Sequence, residues 1–371
     1  MDACIAPNGP TDYRDQSPCT RLHVGTADGV VTLTREAPGQ AWSTSAQTLP
    51  GRHISSLMFE PTRGGLFAGV HNGGLYASSD GGQTWERKMR GITQEHVFTL
   101  ASHERDGQLV LYAGTEPAHL FQSTDYGENW QELPSLRAVP DTDKWVFPGP
   151  PHIAHVKNLT FDPRDDHLMY ACIEQGALLK TTDGGQTWRE LSDYSRPEDP
   201  VYRDIHRLVL RPSNPDEMYF TGGAGLYYSA DGGETWEHLS THRARIGYPD
   251  ALMFSPDESV MFMAGSACSP GDWRQTNDAD AAVGRSPDAG RTWELLTRGL
   301  PAHIVGNFEA MTMAAWPGGF TLFAATTDGD VFASEDEGAT WATIASGLAP
   351  ISKGDHYVPL RRPAVGAVGV S

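Results

Sequence analysis

Seven segments of the chain place a polar residue two positions before a central apolar side chain. In chain order these polar residues are Ser55, His96, Lys157, His206, Asp250, Glu309 and His356. Two positions further back, polar side chains recur, among them His53, His155 and Asp204. Neutral imidazole and carboxylate groups that converge on one point are typical ligands of a divalent transition metal. The pattern therefore predicts a metal site, if the fold brings the seven positions together.

Each group of residues in this pattern has an expected chemical role. The expected metal ligands, with Zn, Mn or Fe as the ion, are His96, His206, Glu309 and His356. Proton transfer at an activated water or substrate is assigned to Asp250, Lys157 and Glu174. The residues expected to contact the substrate are His53, His155, Glu116, Arg207, Trp145 and Trp273. The prediction is a metal-dependent enzyme of the hydrolase or lyase type that acts on a small-molecule or sugar-like ligand.

A recurring octapeptide indicates which elements position these residues. It reads Ser-Ser-Asp-Gly-Gly-Gln-Thr-Trp at residues 78–85. Five further copies end at Trp130, Trp188, Trp236, Trp293 and Trp341, and a degenerate copy ends at Trp42. Asp and Gly favour a tight hairpin in which the carboxylate caps backbone N–H groups, and Thr and Trp begin the next strand. The repeat predicts seven units of four strands.

The octapeptide resembles the BNR or Asp-box repeat, and roughly residues 20–365 resemble the Asp-box β-propellers. That group includes sialidases, xyloglucanases, sortilin-type receptors and a photosystem II assembly factor, so the resemblance implies a fold and leaves the function open. Four-stranded units bury their faces only by closing into a ring, which predicts an all-β, single seven-bladed propeller at residues 20–362. Residues 1–19 and 363–371 are expected to be terminal tails. Residues 355–360 are expected to supply the inner strand of the first blade and to close the ring.

Loop lengths predict which face of the ring carries the site. The longest connections are residues 133–151, 192–203 and 267–285. All three join strands at the face where the inner strands begin, and long loops in compact folds often carry function. The polar positions of the inner strands are therefore expected at the mouth of the channel on that face. The Asp boxes belong to the opposite face, so their carboxylates are interpreted as structural.

Two other functions stay open. A glycoside hydrolase of the Asp-box type would use paired carboxylates from among Asp204, Asp250 and Glu309, and Trp145 and Trp273 would stack on sugar rings. The arginine triad and Tyr–Glu pair expected of a sialidase are not recognisable in the sequence. A non-catalytic binding or assembly propeller requires no chemistry, and a hydrated channel favours polar side chains in any case.

Composition argues against several other classes of protein. The chain has 371 residues, with 28 Lys and Arg against 47 Asp and Glu, and its net charge of −19 without a basic run argues against nucleic-acid binding. No apolar stretch approaches the length of about 18 residues that a membrane span requires. Residues 1–20 lack the features of a secretory signal, and the four cysteines show no Cys-x-x-Cys spacing, which favours a cytoplasmic location. Pairing of Cys4 with Cys19 stays open, and a monomer is expected because a closed ring leaves no sheet edge.

Overall fold

The structure is a ring of seven β-sheets around a central channel. This computed structural model describes residues 1–147, 152–191 and 203–354. The sheets, which we call blades 1 to 7 in chain order, consist mainly of antiparallel strands, and the first strand of each blade lies next to the channel. The all-β, seven-bladed propeller that the repeats predict is thereby confirmed.

The strands follow one order from the channel outward. Two short strands come first, β1 (Asp2–Ile5) and β2 (Asp12–Arg14). Blades 1 to 3 contain β3 (Arg21–Thr26), β4 (Gly29–Thr34), β5 (Ser43–Thr48); β6 (Ile54–Glu60), β7 (Gly65–Val70), β8 (Gly74–Ser78), β9 (Glu86–Arg87); and β10 (His96–Arg105), β11 (Gln108–Glu116), β12 (Leu120–Ser123), β13 (Gln131–Glu132). Blades 4 and 5 contain β14 (His155–Phe161), β15 (Met169–Glu174), β16 (Ala177–Thr181), β17 (Arg189–Glu190); and β18 (Ile205–Arg211), β19 (Asn214–Gly222), β20 (Gly225–Ser229), β21 (Glu237–Thr241). Blades 6 and 7 contain β22 (Tyr248–Phe254), β23 (Met261–Ser266), β24 (Ala282–Ser286), β25 (Glu294–Leu295); and β26 (Phe308–Trp316), β27 (Gly319–Thr326), β28 (Val331–Ser334), β29 (Ala342–Ala345).

In the described part of the chain, helical structure occurs in connections on one face of the ring. Two 3₁₀ turns lie at Pro134–Arg137 and Thr142–Lys144, and helix α1 spans Pro270–Thr276. Within the described residues, no helix has the length and apolar character needed to cross a membrane. All four cysteines lie in the described part of the chain and are free thiols, so Cys4 and Cys19 do not pair.

The inner strand of blade 1 comes from the N-terminus. Strand β1 pairs in parallel with β3, and the other edge of β3 pairs with β4. No edge of β3 is left for residues 355–360, which lie outside the described residues. The prediction that a C-terminal strand completes the first blade is therefore wrong. The physical reason is the apolar run Ala3–Ile5. Its side chains are fully buried, and burying them in the core stabilises the fold more than leaving them in a solvated tail would.

The rest of the expected N-terminal tail also belongs to the ring. Asn8 forms a bridge with Ser56 in β6, and β2 then pairs in parallel with β26 of blade 7. This segment therefore ties blades 1, 2 and 7 together along the channel. Residues Gly9–Asp12 of the segment, together with parts of β10, β14 and β18, line a cavity of about 390 Å³.

The Asp boxes form the predicted hairpins. In blade 5, Asp231 Oδ1 accepts the Thr235 N–H at 2.9 Å and its Oδ2 accepts the Thr235 hydroxyl at 2.6 Å. Ser229 donates to Asp231 at 2.7 Å, and the buried Trp236 donates its indole N–H to Gly233. The bonds from Thr235, aided by Ser229, lower the pKa of Asp231 to about 2. This carboxylate therefore serves the hairpin as an ionised acceptor, in line with the structural interpretation.

Candidate functional site

A β-bulge at the start of each inner strand, from blade 2 to blade 7, leaves one residue outside the ladder. The register shifts at this point in β6, β10, β14, β18, β22 and β26. The residues left without an opposite partner are Ser55, Phe98, Lys157, His206, Asp250 and Glu309. A bulge turns the side chain of its extra residue away from the regular alternation. All but one of the six residues are among those that the sequence pattern selected.

Blade 3 departs from the predicted register by two residues. Phe98 occupies the bulge of β10, and His96 stands at the first position of that strand, equivalent to His155 in β14. The sequence pattern takes Phe98 as the central apolar residue of this strand. In the structure, Leu100 occupies that position. The hydrophobic pattern alone does not distinguish an apolar side chain at a bulge from one in the core. The sequence pattern therefore places His96 at the bulge position, whereas it stands two residues earlier, at the first position of the strand.

Hydrogen bonds and ion pairs join the polar side chains of blades 3 to 7 into one assembly, which we call the channel network. Its members are His96, Glu116, His155, Lys157, Glu174, Asp204, His206, Asp250, Asn307, Glu309 and Lys353. All of them except the half-buried Glu116 are buried. A buried charge is tolerated when it is paired and hydrogen-bonded, and the network supplies such pairs across blade boundaries.

Two carboxylates and two histidines form one end of the channel network. Glu116 contacts His96 Nδ1 and His155 Nδ1, each at 3.1 Å. His155 Nε2 lies 2.7 Å from Glu174 Oε2. Burial lowers the pKa of His96. Burial also disfavours the charged form of His155, but Glu174 and Glu116 outweigh it and raise the pKa of this ring above its usual value.

Two lysines hold the carboxylates at the centre of the channel network. Lys157 Nζ lies 2.9 Å from Glu174 Oε2 and 3.4 Å from Asp250 Oδ1. Lys353 Nζ lies 2.8 Å from Asp250 Oδ1. Burial raises the pKa of both carboxyl groups, but the ammonium groups outweigh it and hold the pKa of Glu174 and of Asp250 well below the usual range. Glu174 and Asp250 are therefore ionised partners of the lysines.

Glu309 differs from the other carboxyl groups of the channel network. Its Oε2 accepts the backbone N–H of Lys353 at 3.0 Å, and no described residue forms a hydrogen bond with its Oε1. Burial, together with the nearby charge of Asp250, raises its pKa to about 8 against the opposing influence of the Lys353 ammonium. Glu309 is therefore largely protonated at neutral pH, whereas a metal ligand would be a carboxylate.

The structure does not bring the predicted metal ligands together. Among the described residues, His206 converges with Glu174 and Asp204, and no cluster joins it to His96 or Glu309. His96 lies instead beside His71, whose Nδ1 is 2.9 Å from His96 Nε2. The fourth predicted ligand, His356, lies outside the described residues. Within the described residues, His96, His206 and Glu309 therefore do not share one site, because His96 stands at the first position of its strand and the other two are bulge residues of different blades.

The predicted substrate contacts do not lie together in one place. His155 and Glu116 belong to the channel network, and His53 Nε2 lies 2.6 Å from the Ser352 carbonyl oxygen. Arg207 lines the cavity of about 390 Å³ and has no carboxylate within 4.0 Å among the described residues. Trp145 and Trp273 are buried, so the prediction that they stack on sugars at the rim is wrong. Their loops fold back: Trp145 packs between blades 3 and 4, and Trp273 packs against Phe147 and Ala279.

Lys353 is the member of the channel network that sequence reasoning missed. It follows the last blade in residues 351–354, a segment whose residues are all buried in the channel. No repeat marks this segment. The one sequence feature that could have pointed to Lys353 is its position: this lysine and the glycine after it stand directly before residues 355–360, the segment expected to form the closing strand.

Family comparisons agree with the fold. The family model described as Photosynthesis system II assembly factor YCF48 matches residues 36–189. The model described as Sortilin, neurotensin receptor 3, matches residues 176–312. The two matches together cover most of blades 1 to 6, and neither family model covers half of the chain.

Individual relatives come from two groups. The chain is 26% identical to the photosystem II assembly lipoprotein Ycf48 of Synechococcus sp. (strain CC9902), over 87% of this chain and 84% of the relative. It is 25% identical to a xyloglucanase of Hypocrea jecorina (strain QM6a) over 67% of this chain, and spans only 32% of that enzyme's length. A solved structure of YCF48 bound to D1 peptide superposes with a TM-score of 0.56 at 16% identity, covering 90% of this chain and 95% of the other. The Asp boxes, the ring of seven blades and these matches identify the chain as a seven-bladed β-propeller built from BNR or Asp-box repeats.

Proposed function

We propose that the chain is a non-catalytic propeller that binds a segment of a partner protein, in the manner of an assembly factor. The observation that carries this proposal is the pairing within the channel network. Among the described residues, the side chains of the channel network that could act as acid, base or nucleophile are buried, except for the half-buried Glu116, and most of them are bonded to one another. Such groups stabilise a defined channel but do not meet a substrate.

The carboxylate geometry favours this function over glycoside hydrolysis. A glycosidase needs two carboxyl groups that flank a sugar in an open cleft. Here Asp250 accepts from Lys353 and from Asn307 Nδ2 at 2.8 Å, and Asp204 accepts from the Tyr248 hydroxyl at 2.9 Å. The same burial speaks against the metal-dependent hydrolase or lyase of the sequence analysis, because its proposed acid and base are partners of each other.

The relatives support a polypeptide as the ligand. The relative that matches along almost the whole chain is named as an assembly lipoprotein, and a solved propeller of the same name holds a peptide. The net charge of −19 makes a neutral or basic segment the better electrostatic match. The proposed partner is therefore a protein with such a segment.

The proposed contact surface is the face with the long connections. Val146 is 51% exposed there, between the buried side chains of Trp145 and Phe147. The two buried neighbours hold the loop in place, so the exposed valine is presented to solvent in a fixed position. Leu295, which is 39% exposed in β25, provides a matched apolar position elsewhere on the ring.

Co-purification with matched surface variants tests the proposal. Tagged wild type, Val146→Asp and Leu295→Asp would be purified from the native host after mild cross-linking, and bound proteins would be quantified by mass spectrometry. We expect one near-stoichiometric partner with wild type and Leu295→Asp, and at least about tenfold less with Val146→Asp, because a buried unpaired carboxylate opposes association. Equal recovery with all three proteins would contradict the proposed surface. Release of reducing sugars from xyloglucan by wild type, lost in Asp250→Asn, would refute the non-catalytic function itself.

A further inference from the structure

We infer that Glu174, Asp204 and His206 form a site for one divalent first-row transition-metal ion inside the channel. One ligand atom from each residue lies within 4.8 Å of the other two. His206 Nε2 is 3.4 Å from Asp204 Oδ1 and 3.9 Å from Glu174 Oε1. The three side chains come from the end of β15 and the start of β18, so the ion would tie blade 4 to blade 5. The inference is independent of the proposed partner binding and concerns a different part of the propeller.

The orientation of His206 is the first argument. Its Nδ1 lies 2.7 Å from the carbonyl oxygen of Pro249, which can only accept, so Nδ1 carries a proton. Its Nε2 is fully buried and forms no hydrogen bond with any described residue. A carbonyl that fixes one ring nitrogen while the other points at carboxylates is the usual outer arrangement of a metal-bound histidine. The lone pair of His206 is thereby directed to the space between the two acids.

The second argument is the unfilled acceptor on Asp204. The Tyr248 hydroxyl donates to Asp204 Oδ2, which fixes the carboxylate, while Oδ1 forms no hydrogen bond within the described part of the chain. Asp204 is only 6% exposed, so bulk solvent has little access to this oxygen. An unpaired acceptor in such a place is costly. A cation between Asp204, Glu174 and the lone pair of His206 would remove that cost for both residues.

Distances and ligand types select the class of ion. Metal–ligand bonds of about 2.0–2.2 Å in a tetrahedral or octahedral site separate neighbouring ligand atoms by roughly 3–3.5 Å. The separation of 3.4 Å between His206 Nε2 and Asp204 Oδ1 lies in that range, and the Glu174 oxygen requires a small movement. Imidazole suits Zn²⁺ or Fe²⁺, whereas Ca²⁺ and Mg²⁺ prefer oxygen ligands alone; Mn²⁺ would rely mainly on the two carboxylates. The ligand set shares only His206 with the set that the sequence pattern predicted.

Metal content of matched variants tests the site. Full-length protein would be treated with chelator, loaded separately with Zn²⁺ and Mn²⁺, passed through a desalting column and assayed for metal. The channel variants are Asp204→Asn and His206→Gln. The control is His167→Gln, in the cluster of Asp106, Asp166 and His167, which also combines two carboxylates with a histidine but is not buried. We expect one ion per chain in wild type and in the control, and at least about 100-fold weaker binding in both channel variants.

A spectroscopic titration of wild type keeps the test decisive if a channel variant fails to fold. Co²⁺ added to the chelated protein is expected to give visible absorption bands that saturate at one equivalent, and Zn²⁺ is expected to displace it. Circular dichroism would establish whether each variant retains the wild-type sheet content. The inference is overturned if wild type retains no stoichiometric metal and gives no saturable cobalt spectrum. It is equally overturned if folded channel variants bind as wild type does, or if only the control loses its metal.

Discussion

Replacing Lys353 by methionine tests whether the channel network depends on the segment that follows the last blade. The side chain is 1% exposed, and its ammonium lies 2.8 Å from Asp250 Oδ1 and 3.8 Å from Glu174 Oε1. Burial alone would lower its pKa, but Asp250 and Glu174 outweigh it and raise the pKa, so Lys353 is charged throughout the accessible pH range. Methionine preserves the length and the apolar stem and removes the charge.

The expected loss of unfolding free energy depends on which partners the carboxylates keep once the Lys353 ammonium is removed. Breaking a buried ion pair by removing one partner costs about 3–5 kcal/mol, because the other charge stays buried. Asp250 keeps Lys157 at 3.4 Å and the Asn307 amide at 2.8 Å. We therefore expect the lower end, about 3 kcal/mol. The control is Lys144→Met, whose lysine is 66% exposed and pairs with Asp141 at 3.0 Å, and which should cost at most about 1 kcal/mol.

The assay is urea unfolding of both variants and of wild type, followed by tryptophan fluorescence and circular dichroism at neutral pH. At constant slope, the shift of the midpoint gives the change in the free energy of unfolding. Adding Asp250→Asn to Lys353→Met should recover part of the loss, because the double variant no longer buries that uncompensated carboxylate. If Lys353→Met costs no more than Lys144→Met, the lysine does not neutralise the channel carboxylates and the description of the channel network is refuted.

Two further substitutions test individual carboxyl groups. Glu309 has a folded pKa of about 8, above its ordinary value of 4.5, so wild type should lose stability as pH rises through this window, and Glu309→Gln should gain stability relative to wild type over the same range. Urea midpoints at pH 5 and pH 8 measure this, and a difference that does not change with pH would contradict it. Asp231→Ala removes the acceptor for the backbone and hydroxyl of Thr235 and should lower the free energy of unfolding by about 1–2 kcal/mol in the same assay. An unchanged midpoint would show that the Asp-box bonds do not stabilise the hairpin.

Local turn chemistry explains why the ring could be predicted from the sequence. The Asp-box hairpin is specified within eight residues by Ser, Asp, Gly, Thr and Trp, so each copy marks one blade without knowledge of the others. The inner strand of blade 1 has no such mark. Residues Ala3–Ile5 form a short apolar run that pairs in parallel with β3, and a parallel pairing between distant segments leaves no turn signature in the sequence.

Part of the candidate site could be predicted because sequence spacing marks the bulge positions. Lys157, His206, Asp250 and Glu309 stand at bulges, each a fixed distance before a core residue, so spacing finds them. Spacing does not say which neighbour each side chain faces, because that depends on how adjacent blades pack against each other. His206 faces Glu174 and Asp204 for this reason, and not Glu309. Whether a loop aromatic packs inward or faces solvent is likewise decided by tertiary packing alone.

The side chains at the six bulges show where the channel contains ionisable groups that the fold itself does not require. Blades 2 and 3 place Ser55 and Phe98 there, so the bulge itself requires no charge. Blades 4 to 7 place ionisable residues at the same position, and buried ion pairs contribute little net stability compared with apolar side chains of similar size. Stability alone therefore does not account for the charged half of the channel. The cation inferred between blades 4 and 5 would account for one of these four positions, because it would give the lone pair of His206, and with it the unfilled oxygen of Asp204, a partner that the rest of the described chain does not provide.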